Sequence, residues 1–178
     1  MSVRARILPH YTVQDYVHWE GRWEIIEGSA VAMSPMLSPR HQELANKLGR
    51  ILSEAVESTS CKDCKVYQPL DVKIEEDTLV QPDLLIICQP IPGQFVDFPP
   101  AMVVEILSPS TRLKDLHVKY GLYEDFGIRH YLIIDPDHET IQLYRLDKDG
   151  KYVESNHNAE IIISPDCTVN LELAQLFN

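Results

Sequence analysis

Two carboxylates stand where an apolar chain has no evident use for them. Glu105 interrupts the run Met102, Val103, Val104, Ile106 and Leu107, the pattern of a strand covered on both faces. Asp83 follows Pro82 and opens a second apolar run, "LLII". A buried carboxylate without a partner costs several kcal/mol or takes up a proton. If the two strands are neighbours, both carboxylates meet at one place, and a cation between them relieves their repulsion. Oxygen ligands suit Mg²⁺ or Mn²⁺, ions that keep waters and often hold substrate phosphates. Such an ion polarises phosphoryl oxygens and generates hydroxide from bound water.

A lysine is spaced to join them. Between Leu113 and Phe126, at about 100° per residue, Leu116, Tyr120, Tyr123 and Phe126 form one apolar stripe. Lys119 falls inside that stripe and Lys114 on the opposite face. An inward lysine needs a partner, and Glu105 is the natural one, with Asp115 in support at i,i+4 spacing. The same residues also fit a buried ion pair with no chemistry, since perturbed groups occur in purely structural networks too.

The elements that must position these groups follow from the pattern. Thr12 and Asp15 form a variant capping box that opens a short helix. "RWEIIEGSAVAM", Arg22 to Met33, alternates around Gly28 as a β-hairpin. Ser38 as N-cap and Pro39 at the first position begin a long helix whose apolar face is Leu44, Leu48, Ile51, Leu52 and Val56. "KVYQPLDVKI" reads as one alternating strand, and "LVQPDLLIIC" and "AMVVEIL" as central strands separated by a loop rich in Pro and Gly. The helix carrying Lys119 ends at Gly127. "HYLIID" is another buried strand, and "TIQLYRL" and "KYVES" pair around Asp149-Gly150. The tail "VNLELAQLF" fits a strand or a short closing helix. The order implies an α/β or α+β domain with a mixed sheet, a single domain over residues 1–178.

Composition narrows the field. The net charge of −11 argues against a broad electrostatic grip on nucleic acid. It leaves room for a local basic patch or a metal-neutralised phosphate site. No apolar stretch approaches a membrane span and no secretory segment opens the chain, so a cytoplasmic location is expected. Of four cysteines, Cys61 and Cys64 form a CxxC read as a loop with two free thiols. Cys88 and Cys167 read as small core or strand residues.

The blocks "RWEIIEGSAVAMSP", "RHQELANKLGRIL", "VQPDLLII", "VVEILSPSTRLKDLHVKYGLYEDFGIRHYLIIDP" and "IQLYRL" span nearly the whole chain. On them it resembles the Uma-two family of restriction endonucleases, also called domain of unknown function 820, within the PD-(D/E)XK nuclease superfamily. The resemblance implies a restriction-endonuclease-like core, a mixed central sheet flanked by helices. It also implies a Mg²⁺- or Mn²⁺-dependent site acting on nucleic acid, expected to be DNA. Asp83 is then the metal-binding aspartate and Glu105 the acidic residue of the second strand. The superfamily places lysine two residues after that acid, but Leu107 stands there, so the role passes to Lys119 on the following helix. His41 matches a family position, and Glu43 fits the acidic residue that the superfamily often adds from the first long helix. Ser108 and Ser110 either cap the turn into the next helix or contact phosphate. A symmetric dimer would suit cutting two strands. A non-catalytic nucleic-acid-binding or regulatory protein on the same fold is the alternative, because fold alone does not give function.

Overall fold

Strands buried on both faces need cover on both sides, and the chain supplies it. The computed structural model describes residues 8–33, 37–59, 61–158 and 160–178. A six-stranded mixed sheet has the order β10-β9-β8-β7-β6-β3. Its strands are β3 (Lys65–Tyr67), β6 (Leu84–Ile87), β7 (Met102–Ile106), β8 (His130–Asp135), β9 (Thr140–Leu146) and β10 (Tyr152–Ser155). Among the described residues of this sheet β7 and β8 pair in parallel, joined by a helical crossover, and the other neighbours are antiparallel.

Alternation divides the core in two. Leu84, Ile86, Val104, Ile106 and Leu132 face the helix α2 (Pro39–Glu57) and the C-terminal hairpin β11 (Ile161–Ser164) and β12 (Cys167–Val169). Leu85, Ile87, Val103, Leu107 and Ile133 face Tyr123 and Tyr131 on the other side. Glu105 belongs to the second set by the same period of two.

A second sheet, order β2-β1-β5-β4, contains β1 (Trp23–Ile26), β2 (Ser29–Ala32), β4 (Val72–Glu75) and β5 (Thr78–Val80). The expected hairpin is its edge. Its turn, Glu27-Gly28, has positive φ at both residues, 48° and 75°, the type I′ geometry that matches strand twist. The expected capping box is present at α1 (Val13–Tyr16), where Thr12 N–H donates to Asp15 Oδ2 at 2.8 Å. Ser38 caps α2 by accepting from His41 N–H at 3.1 Å.

Three expectations change. "KVYQPLDVKI" is two strands, β3 and β4, in different sheets, and "LVQPDLLIIC" is likewise split into β5 and β6. Pro69 and Pro82 stand at the breaks, where a residue with no N–H cannot continue a ladder. The helix carrying Lys119 is a π-helix over Lys114–Lys119 and becomes α3 only at Tyr120–Phe126, ending at Gly127 with φ 85°. The tail, for which the sequence fits either a strand or a short closing helix, is a 3₁₀ turn at Leu173–Gln175, and only its first residue, Val169, belongs to strand β12. No helix among the described residues is long and apolar enough to cross a membrane.

The loop after β7 is fastened to the end of β8. Asp135 Oδ2 accepts from Arg112 Nη2 at 2.7 Å and from His138 Nδ1 at 2.9 Å. Its Oδ1 accepts the N–H groups of Asp137 and His138. The Arg112 hydrogen bond, with those from His138, holds Asp135 far below the usual carboxylate range despite its burial. A depressed folded pKa contributes stability above the ordinary carboxylate value, and the contribution is lost as pH falls through the folded value. Asp135→Asn is therefore expected to cost about 1–2 kcal/mol at neutral pH. Urea unfolding at about pH 7 and about pH 3 checks this; an undiminished gap between variant and wild type in acid would contradict it.

Candidate functional site

The register that pairs Leu84 with Val104, carried one step further, sets Asp83 opposite Glu105. Asp83 is held there by the backbone, for its Oδ2 accepts from Ile106 N–H at 2.8 Å. His41, buried in the first turn of α2, brings Nε2 to 3.2 Å from the same oxygen. His41 Nδ1 has no hydrogen-bond partner among the described residues.

Glu105 is sealed from the other side. Its Oε1 accepts from Lys119 Nζ at 2.8 Å and from Tyr123 Oη at 2.7 Å. Lys119, 1 % exposed, also lies 2.8 Å from Glu24 Oε1 and 3.7 Å from Asp115 Oδ1. Glu24, 0 % exposed on β1, accepts in addition from Gln81 N–H at 2.9 Å and from Lys114 Nζ. Two sheets and one helix thus converge on one ionic cluster.

Lys114 was expected on the far face of the helix, and the π-turn explains why it is not. Five residues of α-helix turn through about 500° and would separate Lys114 from Lys119 widely. A π-helix closes i→i+5 bonds, which brings residues five apart near one line. Both ammonium groups therefore reach Glu24.

The cluster is short of positive charge. Burial raises Glu105 well above the ordinary value of 4.5, and Asp115, Asp83 and Glu24 add to it against the pull of Lys119. Asp115 is raised for the same first reason, and its Oδ1 lacks a hydrogen-bond partner among the described residues. Burial would raise Glu24 too, but Lys119, Lys114 and the Gln81 N–H outweigh it and hold that pKa low. Burial opposes charge on Lys119, yet Glu105, Glu24 and Asp115 together raise its pKa strongly.

A narrow cavity of about 40 Å³ opens onto Asp83, Glu105, His41, Ser108, Lys114 and Lys119. That is room for an ion or a water, not for a nucleotide. A far larger groove, about 880 Å³, lies between α2 and the C-terminal segment; the ionic cluster does not line it. Among the described residues no group of three or more His, Cys, Asp or Glu stands ready to hold a metal. Asp83 and Glu105 supply two oxygen-bearing side chains, the surplus carboxylate favours a cation, and Mg²⁺ normally completes its shell with waters and phosphate. The residues fit such an ion on those grounds.

Of the residues expected at the site, Asp83, Glu105, Lys119, Asp115 and His41 are brought together. Glu43 is not: it sits half-exposed on α2, paired with Lys47 at 3.0 Å and Arg40 at 3.2 Å. Glu24 and Lys114 escaped the sequence reading. The signal for Glu24 is that Ile26, on the same face of β1 by alternation, is apolar.

Residues 13–175 match the family Uma2, described as "Putative restriction endonuclease". The chain belongs to the Uma2 family. An uncharacterized protein from Synechocystis sp. is 28 % identical to it over 162 residues, covering 85 % of this chain and 82 % of the relative. The crystal structure of "a putative nuclease belonging to DUF820" from Anabaena variabilis superimposes with a TM-score of 0.73. It is 18 % identical, with 94 % of this chain and 97 % of that chain covered, a likeness that shows the Uma2 chain's fold. The core is thus the mixed sheet flanked by helices that the resemblance implied, with the N-terminal hairpin read from the residue pattern.

Proposed function

We propose that this Uma2 chain is a divalent-metal-dependent phosphodiesterase that cuts nucleic acid, DNA in the first instance. One observation carries the reading: a carboxylate-rich cluster, short of counter-charge, opens through a narrow cavity that Asp83 and Glu105 both line. Asp83 and Glu105 would hold Mg²⁺ or Mn²⁺, which when bound polarises a phosphoryl oxygen and offsets phosphate charge.

The protein's own groups divide the remaining work. The Ile106 N–H and His41 fix the Asp83 carboxylate. Tyr123 and Lys119 fix Glu105 by occupying one of its oxygens. Lys119 is enclosed by three carboxylates, so it acts as a positioning residue. Lys114, which lines the cavity and has a side chain 16 % exposed, is the ammonium that would meet the phosphate. The site works within the cytoplasm on this reading, and a symmetric pair of chains would set two such sites on opposite strands.

Glu105→Gln keeps the size and a hydrogen-bonding oxygen but removes the charge. Cleavage of plasmid DNA with Mn²⁺ is expected to fall at least about a hundredfold, with Mn²⁺ binding by calorimetry weakened in step. A variant that cuts as fast as the wild type would remove Glu105 from the reaction. Wild-type protein that neither binds Mn²⁺ in the presence of oligonucleotide nor cuts DNA or RNA would favour a non-catalytic nucleic-acid-binding role.

A further inference from the structure

At the other end of β6 from Asp83, about 16 Å along the strand, all four cysteines come together. Cys61 and Cys64 lie in a tight turn after α2, where Cys64 N–H donates to Cys61 C=O at 3.1 Å. Cys64 directly precedes β3, and the register pairing Lys65 with Ile87 sets it opposite Cys88. Cys167 opens β12. The expected free thiols are instead paired, Cys61 with Cys167 and Cys64 with Cys88. Folding brings together residues that sequence spacing keeps apart.

The two pairs are not independent bridges. Cys64 Sγ lies 3.9 Å from Cys167 Sγ, across the pairs. Cys61, Cys64 and Cys167 are all buried in the core beneath α2. Four thiolates around one Zn²⁺ at about 2.3 Å stand about 3.8 Å apart, so the cross-pair separation is that of a tetrahedral edge. The donors include one CxxC turn, the close pair common in such centres, with one further cysteine just past the end of β6 and one in β12. A metal there would have a structural task. Among the described residues the β11–β12 hairpin pairs with neither other sheet, and Cys167 would tie it to the end of α2 and to the edge strand β3.

We infer that Cys61, Cys64, Cys88 and Cys167 form a structural Zn²⁺ site in the reduced chain, interconvertible with the two disulfides. With the S–S bonds formed no thiolate is on offer. Each disulfide takes two electrons and two protons from a dithiol, which closes to its own disulfide. The resulting thiols then release their protons as one Zn²⁺ binds.

Cobalt titration of the full chain, reduced and desalted without oxygen, tests this. One thiolate-bound Co²⁺ per chain is expected, with thiolate-to-cobalt charge transfer in the near ultraviolet and the strong visible bands of tetrahedral Co²⁺. Zn²⁺ should displace both. Co²⁺ held by Asp83 and Glu105 would show neither, so failure of the carboxylate site cannot mimic failure here. Cys167→Ser is expected to weaken the charge transfer and loosen binding at least about tenfold. Reduced wild-type chain that develops no thiolate-cobalt bands overturns the inference. So does a folded Cys167→Ser variant with the wild-type spectrum and affinity.

Discussion

Asp83→Asn is expected to lower Mn²⁺-dependent cleavage by about three orders of magnitude, some 4 kcal/mol of barrier, while the protein stays folded. Asparagine retains an oxygen to accept the Ile106 N–H, which lies 2.8 Å from Asp83 Oδ2, and loses only the charge. Asp83→Ala should lose activity equally but also orphans that N–H, at about 1–3 kcal/mol of stability. The pair of variants therefore separates chemistry from scaffold. Plasmid cleavage, Mn²⁺ calorimetry and urea midpoints on both give the answer. Full metal-dependent cleavage by Asp83→Asn would take Asp83 out of the site.

Lys119→Met has the largest expected effect on stability. It leaves Glu24, Glu105 and Asp115 buried with Lys114 as their remaining ammonium. Breaking a buried ion pair from one side costs about 3–5 kcal/mol, a large share of a typical domain's stability. The sign with pH follows from the carboxylates. Glu105 and Asp115 have folded pKa values raised above 4.5 and 3.8. Their contribution is full below those ordinary values and declines as pH rises through the folded ones. Removing the ammonium raises them further, so the variant should close on the wild type as pH falls. Unfolding curves from about pH 8 to about pH 5 test this, and a variant with the wild-type midpoint throughout would refute it. Adding Glu105→Leu should restore much of the loss. Cleavage surviving in that double variant would mark the cluster as an ion pair without chemistry.

Asp83, Glu105 and Lys119 were legible because each breaks an apolar pattern, and a charge in a buried pattern must have a reason. Glu24 was not, because a glutamate in a short alternating strand such as "WEII" also fits a solvent face. Its burial depends on the second sheet and the helix closing over β1. Lys114 was misplaced because helical periodicity presumes α geometry, and a π-turn changes the angle for every residue before it. The strand breaks at Gln68–Asp71 and Gln81–Asp83 were missed although a proline stands in each, and which sheet each half joins is a long-range choice. The cysteines show that limit most clearly, since Cys61 pairs across 106 residues and spacing alone allows every other pairing.

The ionic cluster also bears on the order of folding. Lys114 and Glu24 are 90 residues apart, and their contact ties the crossover helix to the second sheet. Closing so long a loop is entropically costly until other contacts have paid for it. Desolvating Glu105 and Lys119 is unfavourable until both can meet. Until the sheets dock, water solvates these charges better than the protein does, and a half-formed core with the charges trapped inside is disfavoured. The centre that would hold the metal is thus expected to be completed late, its charges disfavouring a collapsed but misassembled chain.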